Sequence, residues 1–328
     1  MSALKDSVEE KLRAARVIDP ETAKPADLER LAAAMYERGF DVKIIGGKLI
    51  TEKEPEGQTV RIPIDRGKEH IKLGVMSDPH LGSSYEQLTA LKDFYHYASS
   101  EGVDKFLNLG DITDGTAKMH IGRLYELHVQ GSDGQVAYAS ETYPRGEDGQ
   151  ETLVLGGNHD MSFHKDSGVN VVRQIGVYRP DIKYVGHTAT YVELGPLKIY
   201  MSHPSGGKPY ADSYRLQKIA EALPVGDPVD LLLVGHLHIY CKDQIHGITA
   251  FQVPCFQRQY PYLAAKGLHP AIGGIILDIA MTDAGAIGRI KEEYVRYQAV
   301  ERPDYDAEVS AEVNRGWTPN TPSARTPE

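Results

Sequence analysis

Cysteine is nearly absent from this 328-residue chain, where Cys241 and Cys255 are the only two. Two thiols cannot staple a disulfide scaffold. Neither sits in a CxxC or Cys/His spacing, so a thiolate metal site is excluded and reduced, intracellular thiols are expected. Tryptophan is scarcer still, with Trp317 alone. No apolar run approaches the ~20 residues of a membrane span. The opening stretch MSALKDSVEEKLRAARVI is charged and lacks the apolar core of a secretory signal. A cytoplasmic protein with no membrane partner is the expectation. Basic charge is also in deficit, 36 Lys and Arg against 46 Asp and Glu, for a formal net charge of −10. That balance argues against broad binding of nucleic acid by a basic surface, while leaving room for a local basic groove.

What is present is ordinary for a globular protein, 41% hydrophobic and 25% charged. Three zones follow one another. Residues 1–66 read as a small module. Leu28, Leu31, Ala32, Met35 and Tyr36 recur at helical spacing, and DVKIIGGKLITEK reads as a hairpin around Gly46-Gly47. A helix followed by a ribbon is winged-helix-like. Acidic and basic side chains balance there, however, which suits a packing or protein-interaction module better than a nucleic-acid wing. Residues 69–300 alternate strand candidates (71–77, 105–109, 152–155, 190–193, 198–202, 231–234, 250–253, 274–278 and 289–297) with helical stretches at 85–99, 120–143 (broken at Gly131) and 211–222. This pattern predicts an α/β architecture in layers. Residues 301–328, rich in Pro, Thr and charge, read as a disordered tail.

The chemistry sits at the ends of the apolar runs. GVMSDPHLG carries Asp78 and His80; FLNLGDITDG carries Asp111 and Asp114; VLGGNHD carries Asn158, His159 and Asp160. IYMSHPSGG carries His203, and LLLVGHLHIY carries His236 and His238. In open α/β sheets ligands bind beyond the carboxyl ends of strands, so five such ends can converge on one crevice. In an extended segment residues i and i+2 point the same way, which lets Asp78 and His80 grip one ion together and His236 and His238 grip a shared centre, with Pro79 biasing Asp78 toward an extended backbone. Carboxylates, imidazoles and one amide oxygen suit first-row divalent ions, manganese foremost with Zn, Fe, Ni or Co as alternatives, rather than calcium. Seven candidate ligands are too many for one tetrahedral ion and suit two ions bridged by a carboxylate, ~3.5–4 Å apart. The remaining histidines, His120 among them, lack this context and read as surface or core residues.

The ordered series DxH, GDxxD, GNHD, H and GHxH, spanning about 165 residues from Asp78 to His238, resembles the calcineurin-like metallophosphoesterase superfamily. The resemblance implies a four-layer α/β/β/α sandwich of two mixed sheets. It implies one ion on Asp78, His80, Asp111 and His238, and a second on Asp111, Asn158, His203 and His236. It further implies in-line attack on phosphorus by a metal-bridging hydroxide. His159 would face the substrate, with the carboxylate of Asp114 fixing its ring. Asp160 is expected to support its loop rather than bind metal.

Departures from the subfamilies narrow the reading. The arginines that protein phosphatases of this superfamily carry after GDxxD and beyond GNHE are replaced here by DGT and DMSF. The metal-bound tyrosine of plant-type purple acid phosphatases is not at the second motif. What remains is the broad prokaryotic and phage group, and a phosphodiesterase with nuclease activity as one form is the leading expectation. A phosphomonoesterase or small-nucleotide hydrolase is the alternative, followed by a non-catalytic binding module. The substrate would be a phosphodiester or nucleotide, nucleic acid included. Lys208, Tyr210, Arg215 and Arg258 (with Tyr260) are candidate substrate contacts. The long connection over 115–150 is expected as a helical insertion, serving either as a lid or as plain packing.

Overall fold

The computed structural model describes residues 40–45, 48–53, 59–63, 70–224, 229–282 and 287–319. The chain divides into two units, Met1–Glu56 and Gly57–Glu328. In the first, strands β1 (Phe40–Ile45) and β2 (Lys48–Lys53) pair antiparallel, with Ile45 opposite Lys48. This is the hairpin expected around the glycine pair. The helix expected before it lies outside the described residues.

The second unit is built on two six-stranded mixed sheets. The first holds β4 (His70–Met76), β5 (Lys105–Asn108), β6 (Thr152–Leu155), β7 (Ile182–Gly186), β13 (Gly273–Met281) and β14 (Ile287–Arg296), in the order β14-β13-β4-β5-β6-β7. The second holds β3 (Thr59–Ile62), β8 (Ala189–Leu194), β9 (Leu197–Ser202), β10 (Leu231–Val234), β11 (Cys241–Ile245) and β12 (Ile248–Gln252), in the order β11-β12-β10-β9-β8-β3. Strand β3 lies within the segment expected to form the N-terminal module, yet it pairs in parallel with β8.

Alternation along the strands explains the layers. Ile71, Leu73 and Val75 on β4, Leu107 on β5, Leu153 and Leu155 on β6, and Leu231 and Leu233 on β10 all join one buried cluster between the sheets. Their neighbours Met76, Phe106 and Val154 turn to the other face of the first sheet. There they pack under helices α1 (Leu88–Ser100), α2 (Ser132–Thr142), α3 (Asp160–Ser167) and α4 (Val171–Tyr178). Leu232 and Val234 turn outward from the second sheet onto Leu216 and Ala220 of α5 (Tyr214–Ala222). The period of two thus gives both sheets two apolar faces and produces the expected four-layer sandwich. Two further helices are α6 (Pro261–Ala265) and α7 (Ala307–Asn314).

Two segments differ from expectation. The insertion is α-helical only in α2, which Gly131 (φ +81°) precedes as N-cap; residues Ala117–His120, Leu124–Glu126 and Glu147–Gly149 form single 3₁₀ turns. Buried Gln135 of α2 pins the segment by bonding both the N–H and the carbonyl of Gly115. Residues 301–319, expected as tail, carry α7. Asp306 caps it by accepting from the Val309 amide at 3.1 Å, and Val309, Val313 and Trp317 pack against the helical core. Three apolar side chains outweigh the polar composition that suggested disorder. Among the described residues no helix is long and apolar enough to cross a membrane.

Candidate metal centre

Strands β4, β5 and β6 are parallel neighbours in one sheet, and β9 and β10 are parallel neighbours in the other. Their carboxyl ends therefore emerge side by side. The connections continue the ladder past the strands, with Asp78 N–H donating to Gly110 O and His80 N–H to Asp111 O, both at 3.0 Å. Asp78, His80, Asp111 and His203 are buried; Asn158, His159, His236 and His238 are half-buried.

The backbone at these positions is unusual. Asp78, His80, Asp111, His236 and His238 all have positive φ, between +48° and +78°. The extended geometry expected for Asp78-Pro79-His80 is thus not what forms. Convergence comes from left-handed turns at the strand ends instead. Asp and His are among the side chains that tolerate this region best, at a cost of about 1–2 kcal/mol relative to the right-handed form. Gly157 permits the closest approach: a Cβ there would lie 2.1 Å from Asp111 Oδ1 and 2.3 Å from its backbone nitrogen.

The side chains form two adjoining clusters. In one, Asp78 Oδ1 is 3.2 Å from His238 Nε2 and 3.8 Å from His80 Nε2. In the other, Asp111 Oδ2 is 3.1 Å from His203 Nε2, which is itself 3.1 Å from Asn158 Oδ1. The ligand atoms of Asp78, His80 and His238 lie within 4.8 Å of one another, as do those of Asp111, His203 and His236. Asp111 also falls within that distance of His80 and His159.

This donor set fits divalent metal. Asp78 Oδ1 is buried without a hydrogen-bond partner. His80 Nδ1–H donates to the Asp114 carboxylate at 2.8 Å, and its Nε2 faces His238 Nε2 only 3.2 Å away. Two imidazole nitrogens and a carboxylate oxygen buried this close together demand positive charge between them, as a proton or as a metal ion. The electrostatics agree. Burial opposes charge on His80, yet the Asp114 and Asp78 carboxylates outweigh it and push the imidazole up to about 10. Burial likewise opposes charge on His203, which Asp111 and Asp78 push up to about 9. Burial would raise Asp78 and Asp111, but the surrounding imidazoles hold both carboxyls well below the usual range.

The supporting contacts revise several expectations. The Asp114 carboxylate bonds His80, whereas His159 Nδ1 donates to the backbone carbonyl of Asp114 at 2.7 Å and stands 3.7 Å from its carboxylate. Loop geometry brings the carbonyl nearer than the side chain. Asp160 accepts from the amides of Ile112, Thr113 and Gly157 and from the Thr113 hydroxyl, so it braces the loops, as expected. Lys208 is paired with Asp212 at 3.0 Å, Tyr210 is fully exposed, and Arg215 donates to Gly207 O at 3.2 Å. The adjacent Gly206 carbonyl takes His236 Nε2 at 2.6 Å, so Arg215 steadies the turn that holds a candidate ligand. Arg258 lies over the Tyr85 ring.

His120 was missed. It is buried, its Nε2 donates to the Asp114 carbonyl at 2.9 Å, and its ligand nitrogen lies within 4.8 Å of those of Asp114 and His159. Gln257 was missed too; its amide donates to Asp114 Oδ1 at 3.3 Å. Neither carries a local signal, because both reach the site only through the fold.

The family profile described as calcineurin-like phosphoesterase matches residues 71–240. No curated protein sequence matches the chain. Similar solved structures include a novel archaeal phosphodiesterase, 14% identical with a TM-score of 0.39, covering 69% of this chain and 100% of that one. Vacuolar protein sorting 29 from Cryptosporidium parvum is 12% identical with a TM-score of 0.38, covering 70% of this chain and 100% of that one. A 5′-nucleotidase precursor from Thermus thermophilus is 11% identical with a TM-score of 0.37, covering 75% of this chain and 58% of that one. The profile spans more than half of the sequence and every strand end that carries the His/Asp clusters, and the chain belongs to the calcineurin-like phosphoesterase family of metal-dependent phosphoesterases.

Proposed function

We propose that the protein is a two-metal phosphodiesterase. One divalent ion, manganese foremost, would be held by Asp78, His80, Asp111 and His238, and a second by Asp111, Asn158, His203 and His236. The observation that carries this reading is the position of the Asp111 carboxylate between the clusters, with Oδ2 3.1 Å from His203 and 3.8 Å from His80. Bound ions supply a lowered pKa for water and neutralise charge on the phosphoryl oxygens. The chain's own residues do the rest. Asp114 fixes the His80 ring through Nδ1. His203 is fixed in the same way by the Leu109 carbonyl at 2.7 Å. His159 spends Nδ1–H on the Asp114 carbonyl. Its Nε2 is thereby the nitrogen left to exchange a proton with the leaving oxygen.

Charge supports a diester over a monoester. The positions after Asp114 and Asp160 hold Gly115, Thr116, Met161 and Ser162, none of them charged. A diester carries one negative charge where a monoester carries two, and needs no arginine clamp. Turnover of bis-p-nitrophenyl phosphate and p-nitrophenyl phosphate, measured with Mn, Zn, Fe and Ni, tests this. Faster cleavage of the diester is expected. Preference for the monoester would move the assignment to a phosphomonoesterase, and no turnover with any metal would refute catalysis.

A further inference from the structure

Three tyrosines and two arginines pack on one another close to Asp114, and the chemistry above uses none of them. The Tyr85 and Tyr260 rings are 5.8 Å apart; those of Tyr260 and Tyr262 are 6.1 Å apart and within 14° of parallel. Arg258 stacks over Tyr85 at 4.6 Å and Arg123 over Tyr262 at 5.2 Å. Tyr262 is 43% exposed. Ile121 and Tyr125, on the turns either side of Arg123, are 81% and 66% exposed.

Two chains of contacts tie this rim to the centre. Gln257 touches Asp114, and Tyr260 follows three residues later, within about 11 Å of extended chain. The Tyr260 phenol is pushed up by burial and then by the Asp114 carboxylate, which places the two within electrostatic reach. On the other side, Arg123 donates to buried Glu126 at 2.8 Å, and Glu126 is 3.4 Å from His120. His120 donates to the Asp114 carbonyl that also receives His159.

Resting on the phosphodiesterase reading, we propose that this rim stacks the nucleobase beside the scissile phosphate, so that the substrate is a nucleotide-bearing diester. The half-exposed Tyr262 ring, packed on Tyr260 and flanked by Arg123 and Lys266, offers a base an aromatic surface with cations at its side, and base–aromatic stacking is worth about 1–3 kcal/mol per base. Stacking also does not require the basic surface that the acidic composition withholds. The Arg258 Nε is buried without a hydrogen-bond partner, and its Nη1 stands 3.9 Å from the exposed Glu301 carboxylate, so the guanidinium is held loosely at its polar edge.

Methyl p-nitrophenyl phosphate and thymidine 5′-(p-nitrophenyl phosphate) share a leaving group and differ by the nucleoside. With manganese-loaded full-length protein, kcat/KM for the thymidine ester should exceed that for the methyl ester by about tenfold or more, the value of one stacked base. Tyr262→Ala should lower the thymidine ester about tenfold more than the methyl ester, and Tyr262→Phe should restore the ratio. A ratio unchanged in Tyr262→Ala overturns the proposal. Calorimetric titration of chelator-treated protein with thymidine 5′-monophosphate and 2-deoxyribose 5-phosphate reads the base without turnover. Equal affinities overturn the stacking site even if diesters are cleaved. Tighter binding of the nucleotide with no cleavage of either diester supports the stacking site and refutes the phosphodiesterase reading. A short oligothymidylate against the thymidine dinucleotide then separates a strand from a free nucleotide, and either preference, if Tyr262→Ala erodes it, supports the site.

Discussion

The two halves of the metal-ligand centre are braced by different means. Around Asp78 and His80 the braces are largely side chains: Asp114 on His80, and the Ser77 hydroxyl on Asp78 Oδ2. Around His203 and His236 they are main-chain carbonyls, Leu109 O and Gly206 O. A side-chain brace can be deleted by one substitution, whereas a carbonyl can only be moved by moving the chain that carries it. The halves should therefore fail in different ways, with Asp111 failing for both.

The largest expected effect is at that shared carboxylate. Asp111→Ala should cost more than about 10,000-fold in kcat/KM and lower bound metal in elemental analysis, since charge stabilisation by both ions depends on it. Retention of two ions per chain would remove Asp111 from the bridging position. Next, His159→Ala should lower kcat by about 100- to 10,000-fold while metal content stays at the wild-type level. A variant that loses metal instead would make His159 a ligand. Third, Asp114→Asn should weaken one of two metal-binding phases by about 10- to 100-fold in equilibrium dialysis, through the loosened His80 ring. Equal weakening of both phases would erase the difference between the halves. Smallest, Arg215→Ala frees the turn at Gly206 and Gly207 and should weaken the other phase by less than about tenfold, as expected for one hydrogen bond of about 1 kcal/mol. An effect as large as that of Asp114→Asn would mean that the main-chain brace is no more robust than the side-chain one.

The strand ends could be read from sequence because each is an apolar run stopped by a polar ligand type. Leu231–Val234 before Gly235-His236 is the plainest case, and Thr152–Leu155 before Asn158-His159 is another. What the ends do locally could not be read that way. Pro79 argued for an extended Asp78, yet the hydrogen bonds to Gly110 and Asp111 across the sheet set a left-handed turn, a tertiary demand that overrides a dipeptide preference. His120 and Gln257 meet Asp114 from 6 and 143 residues away. Neither contact leaves a period or a motif behind. Strand β11 leaves little sequence signal because its alternation is polar on the exposed side, and β7 because Lys183 and Tyr184 interrupt its apolar run. Helix α7 was hidden in a segment whose composition is polar and whose few apolar residues find partners on the helical layer.

The left-handed residues of the centre set a limit on how this protein can be made more robust. Selection for thermal tolerance alone would favour glycine at 78, 80, 111, 236 and 238, where an L side chain is held at positive φ. Each such change would relax the backbone and delete a donor atom. In this molecule the route to a sturdier chain and the route to an inert one pass through the same five positions.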